Sequence, residues 1–98
     1  MTKQVTLLVN GNPIPLDYFV EAFIDHVTGA IIEALEDTAP IKNLALTIEG
    51  EQVSIVLNEQ RVRVNVFAAK IIKSTIVGMI SVLKGVRDIQ MVQVNLSR

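Results

Sequence analysis

Apolar residues alternate along some stretches of the chain and recur at helical spacing along others. Residues 3–10 set Val5, Leu7 and Val9 at every second position, the pattern of a strand buried on one face. Asn10-Gly11-Asn12 follows, and Asn-Gly accepts positive φ, which predicts a two-residue hairpin turn. A short strand is expected around Ile14. Its neighbours Pro13 and Pro15 have no amide hydrogen, so it belongs at a sheet edge. Asp17 is placed to cap a helix whose apolar residues Phe19, Val20, Phe23, Ile24, Val27, Ile31, Ala34 and Leu35 recur at helical spacing. Pro40 stops that helix from extending further. Residues 43–49 alternate again, with Leu44, Leu46 and Ile48 on one face.

The same order then recurs. Glu49-Gly50-Glu51 is short enough to join residues 43–49 and 51–57 as a hairpin, with Val53, Ile55 and Leu57 inward. A short strand is expected at 61–64, and Asn65 caps a helix over roughly residues 66–84, closed by Gly85 at positive φ. Residues 89–96 form the last strand, with Val92, Val94 and Leu96 inward. Sliding the chain on itself by 48 positions aligns these halves without a gap. Identities include Gln4/Gln52, Asn10/Asn58, Phe19/Phe67, Ile24/Ile72 and Ile32/Ile80, and most strand positions agree in type. The reading is one domain, residues 1–98, made of two tandem pseudo-symmetric repeats at about 3–49 and 51–97. A unit of that size buries too little surface to stand alone, and a twin supplies the missing core. The expected fold class is α+β: two ββαβ repeats forming a largely antiparallel sheet of up to six strands, with two helices packed on one face.

Composition narrows the class. Half of the 98 residues are hydrophobic and 19% are charged, which excludes a disordered tail. No apolar run approaches the length of a membrane span, and no basic start leads into a cleavable apolar segment, so no membrane association and a cytoplasmic location are expected. There is no cysteine, hence no disulfide and no thiolate metal site. So apolar and short a chain should leave apolar surface exposed as a monomer, which points to a homo-oligomer or a protein partner.

Net charge is −1, but residues 1–49 sum to −5 and residues 50–98 to +4. The first helix is expected to expose Glu21, Asp25, Glu33 and Glu36, and the second Lys70, Lys73 and Lys84. Signs reverse at equivalent positions, Asp25 against Lys73 and Glu36 against Lys84, a device that can set the orientation of neighbouring helices. The sheet face opposite the core carries no charge. Thr6, Leu8, Thr47, Ser54, Val56, Met91 and Gln93 on it are candidate interface residues, because interface cores are depleted in charge. A solvent-facing sheet rich in Thr and Gln would read the same way. Arg61 and Arg63, at alternating positions of a short strand, join Lys70 and Lys73 near the second helix start as a candidate anion site. Arginines on an edge strand also discourage sheet-to-sheet aggregation, which is the plainer explanation.

Chemistry is sparse. His26 is the only histidine, the helix carboxylates read as a solvated face, and Ser74 and Thr75 have no adjacent base. Gly29 and Gly78 read as packing positions within helices, and the apolar arc from Ile71 to Leu83 as a core helix. No catalytic residue, cofactor-binding residue or metal ligand emerges, so no enzyme and no cofactor are expected. The four aromatics, Tyr18, Phe19, Phe23 and Phe67, sit at helix starts and none lies on a long strand, which disfavours a base-stacking sheet. The slightly acidic balance disfavours nucleic acid further.

Val9-Asn10-Gly11, Ile14-Pro15-Leu16 and Phe19, together with Thr75-Ile76-Val77-Gly78-Met79 and Ser81-Val82-Leu83-Lys84-Gly85-Val86, resemble a group of small uncharacterised prokaryotic proteins. In that group one short unit carries both motifs, VNGxxIPLxxF and TIxGMxSxLKGV. The resemblance implies no activity, substrate or site. The function expected is a small protein–protein association module, acting through self-assembly or a protein partner. The alternative is an anion- or nucleic-acid-binding module using the basic patch.

Overall fold

A computed structural model of the chain describes residues 4–36 and 40–98, with the Glu36 side chain outside the described set. Eight elements follow one another: β1 (Gln4–Val9), β2 (Asn12–Pro13), α1 (Tyr18–Glu36), β3 (Asn43–Glu49), β4 (Gln52–Leu57), β5 (Gln60–Val62), α2 (Val66–Ile80) and β6 (Met91–Ser97). The strands form one six-stranded sheet in the order β2-β1-β6-β3-β4-β5, and every neighbouring pair is antiparallel. The fold is α+β.

Alternation decides the layers. Leu7, Val9, Leu44, Leu46, Ile48, Ile55, Leu57, Val92, Val94 and Leu96 all point to one face and are buried. Ile24 and Ile32 of α1 and Ile72, Ile76 and Ile80 of α2 cover that face. Both helices therefore lie on the same side. The molecule measures 35 × 34 × 18 Å, so its depth is that of one sheet and one helical layer.

The pairing has an exchange property. Replacing each residue by the one 48 positions away turns Gln4↔Ser97 into Gln52↔Glu49, and Val9↔Val92 into Leu57↔Leu44. The central β3–β6 ladder maps onto itself about the pair Leu46↔Val94, both wholly buried. Each half gives its last strand to the other half: β3 lies beside β4, and β6 beside β1.

Local chemistry repeats under the same exchange. Asp17 accepts a hydrogen bond from the Val20 amide (2.8 Å) and Asn65 from the Ala68 amide (2.7 Å), capping α1 and α2 as expected. Asn10 and Gly11 turn with φ of 52° and 81°, and Asn58 and Glu59 with 48° and 72°. Both residues at positive φ are what a two-residue hairpin requires, but Glu59 occupies a conformation that favours glycine. Asn10 Oδ1 accepts from the amides of Gln90 (2.8 Å) and Met91 (3.0 Å), while its Nδ2 donates to the Asp88 carbonyl (2.9 Å). Asn58 does the same 48 positions away, accepting from Lys42 (2.8 Å) and Asn43 (3.0 Å) and donating to the Pro40 carbonyl (3.0 Å). Each asparagine thus ties its own hairpin to the approach of the other half's final strand.

Three expectations need correction. First, α2 ends at Ile80, not near Lys84. The Ser81 hydroxyl donates back to the Gly78 carbonyl (3.1 Å), and the following turns carry Leu83 and Val86 onto the core. Gly85 has the expected positive φ, 90°, but inside those turns. Second, Asp25 is not on an exposed face: it is 3% exposed. Arg98 Nε donates to its Oδ1 (2.9 Å) and Arg98 Nη2 to its backbone oxygen (3.1 Å). Gly29 makes room for this, since a Cβ there would lie 2.7 Å from Arg98 Nη2. Third, Gly78 packs against nothing: a Cβ on it would meet no atom within 4 Å.

Candidate functional site

The helical layer presents its own apolar surface to solvent. On α1, Phe19, Phe23, His26 and Ala30 follow at i, i+4, i+7 and i+11, off the buried line of Ile24 and Ile32, and all four are exposed. On α2, Phe67, Ile71, Ser74 and Gly78 hold the equivalent positions and are exposed as well. Each stripe is bulky where its helix starts and small towards its end. Phe19 is 68% exposed and Phe67 72%, although phenylalanine is ordinarily a core residue. Tyr18 and Val66 extend the surface at the same ends, and Val82 adds to it just beyond the end of α2. The apolar arc of α2 is therefore only partly core, contrary to the sequence reading.

Between the helices runs a groove of about 510 Å³. Phe19, Phe23 and Val27 from the first half of α1 face Thr75, Met79 and Val82 from the end of α2 and beyond. The helices consequently run antiparallel. Phe19 and Phe23 touch in a tilted arrangement, their centroids 5.8 Å apart. Gly78 lies open at the lip of this groove.

The seven sheet residues singled out from sequence share the opposite face. Ladder register sets Leu8, Gln93, Thr47 and Ser54 in one row across β1, β6, β3 and β4. Thr6 and Val56 flank Asn95 and Ala45 in the adjoining row, and Met91 opens the next, opposite Glu49. Thr6 and Ser54 are exposed and the other five half-buried.

The basic residues are only partly assembled. Arg61, Arg63 and Lys70 line one groove of about 550 Å³ beside the α2 start, and Glu51 lines it too. β5 stops at Val62, so Arg61 lies in the ladder opposite Val56 while Arg63 follows it. Lys73 is turned away from the other three: its Nζ donates to Glu51 Oε1 at 2.9 Å. That hydrogen bond and the charge behind it hold the Glu51 carboxyl below its ordinary range. His26 is exposed on α1. Among the described residues no cluster of histidine and carboxylates is arranged to hold a metal ion, and no helix is long and apolar enough to cross a membrane. Asp37 lies outside the described residues.

No protein-family model, curated protein or solved structure matches the chain. Its surfaces are then the guide to its function. The one that sequence reasoning missed is the helical layer. The usable signal was the width of the α2 arc, which exceeds what one sheet-facing side of a helix covers.

Proposed function

We propose that this protein is an association module that binds another polypeptide through its helical layer. The observation that carries the reading is the exposure of seven large apolar side chains, Tyr18, Phe19, Phe23, Val66, Phe67, Ile71 and Val82, at 46–90%. Scattered apolar residues on a surface are ordinary; bulky apolar side chains repeated at both helix starts, Phe19 with Phe23 beside an apolar groove and Phe67 with Ile71, are the anatomy of an interface core. The agreement of the two halves under a shift of 48 supports their being tandem copies of one ββαβ unit, so that each copy brings an equivalent bulky helix start to the surface. The sheet face opposite the core, whose charges Glu49 and Arg61 stand opposite Met91 and Val56, is a second, more polar contact surface. A Phe19→Ser/Phe67→Ser chain tests the reading. With its circular dichroism unchanged, it is expected to elute as a monomer and to lose any complex that the unaltered chain forms. A folded double variant that associates like the unaltered chain overturns it.

A second reading rests on the three cations that share one groove, Arg61, Arg63 and Lys70. Glu51 in the same groove and the engagement of Lys73 weaken its field for anions. Salt-dependent phosphate binding, lost in an Arg61→Ala/Arg63→Ala chain, would favour this reading over the first.

A further inference from the structure

We infer that the occupant of the helical layer is a second copy of this chain, docked with α1 of each copy antiparallel on α2 of the other. This rests on the association reading above and names its partner. The area is sufficient. At about 200 Å² for a full aromatic side chain, Tyr18, Phe19, Phe23 and Phe67 leave roughly 550 Å² open. Val66, Ile71 and Val82 bring the open apolar area to about 800 Å², the share that each partner contributes to a stable interface of standard size.

Shape comes next. Both stripes run from bulky to small along their helices, so antiparallel stripes are complementary. Phe19 and Phe23 of one copy meet the partner's Gly78, and Phe67 and Ile71 meet the partner's Ala30 and Ala34. A facing helix would account for Gly78. A glycine inside a helix lowers its stability, and within one chain nothing approaches Gly78 closely enough to require it. A phenylalanine ring from a facing helix would.

Charge selects among the antiparallel pairings. Placing α1 on α1 would set the acidic first half against itself, and α2 on α2 the basic second half. Placing α1 on α2 sets Glu33 against the partner's Lys70, both exposed. The first half of the chain sums to −5 and the second to +4, so a twofold axis parallel to the helices satisfies both copies at once.

Light scattering on the eluting protein, up to millimolar concentration, tests the proposal. The unaltered chain is expected at twice the mass of one chain. Gly78→Leu, which meets open space within one chain, should keep the fold by circular dichroism and elute as a monomer. Glu33→Lys alone and Lys70→Glu alone should each weaken the dimer about tenfold, because each twofold dimer then holds two like-charge contacts. The Glu33→Lys/Lys70→Glu chain should recover it. A Gly78→Leu chain that remains a dimer, or a combined charge variant no better than the single ones, overturns the proposal. So does an unaltered chain that stays monomeric. In that case an apolar dye separates the two readings. Dye binding lost in Phe19→Ser/Phe67→Ser leaves a free docking layer for another polypeptide; no dye binding removes the association reading as well.

Discussion

Replacing Asn10 by alanine removes two accepted amide hydrogen bonds, from Gln90 and Met91, and the Nδ2 donation shared between the carbonyls of Asp88 (2.9 Å) and Arg87 (3.3 Å). It also forces a residue with a Cβ and no polar side chain to hold φ of 52°. Exposed hydrogen bonds contribute about 0.5 kcal/mol each at the low end of the usual range, so three give about 1.5 kcal/mol. The left-handed backbone adds about 1 kcal/mol. The expected loss is about 2–3 kcal/mol, from a total near 5–15 kcal/mol for a chain this long. Asn58→Ala removes the corresponding bonds at φ of 48° and should cost the same to within about 0.5 kcal/mol. The two sites share no hydrogen-bond partner, so the double variant should lose the sum. Asn10→Gly separates the two contributions, because it keeps the backbone freedom and removes only the side-chain bonds. Urea unfolding followed by circular dichroism measures all four. If Asn58→Ala costs more than about 2 kcal/mol and Asn10→Ala less than about 0.5 kcal/mol, the two clamps are not equivalent and the reasoning from the 48-residue exchange is refuted.

Glu59 stands where the first hairpin has Gly11, at φ of 72°; Glu59→Gly should stabilise the chain by about 0.5–1 kcal/mol, read as a shift of the urea midpoint. Arg98→Ala leaves the Asp25 carboxylate buried without its guanidinium and should cost about 2–4 kcal/mol, whereas Asp25→Leu/Arg98→Met, which removes both charges, should cost less than the single change. Carboxyl NMR should find Glu51 titrating below the ordinary 4.5, and Lys73→Met should return it towards that value. Because the folded carboxyl titrates lower than the unfolded one, whatever the Lys73 contact contributes to stability is present above the ordinary value and is lost as pH falls through the lowered one.

The strands were readable because each inward face alternates without interruption, as Leu44, Leu46 and Ile48 do. The helix caps were readable because Asp17 and Asn65 stand immediately before apolar helical spacing. Strand order was not, since it depends on ladders between residues far apart, such as Gln4 with Ser97. The end of α2 was overestimated because Met79, Val82 and Leu83 continue the helical spacing, while the helix stops at Ile80 with Ser81 as its cap. Asp25 read as solvated because its partner Arg98 is 73 positions away. The helical surface stayed hidden for a statistical reason: phenylalanine is assigned to cores by default, whereas Phe19 and Phe67 stand exposed, off the core.

The crossed strands carry a consequence for how this chain can change over time. With β6 wedged between β1 and β3, and β3 between β6 and β4, neither half owns a finished sheet. Melting one half would strip a neighbour from the other, so unfolding is expected as a single event with no half-folded stage. A substitution along the shared seam is felt on both sides of it, whereas one on a helix exterior is felt only locally. Substitutions on the helix exteriors should therefore be tolerated more readily than substitutions in the strands.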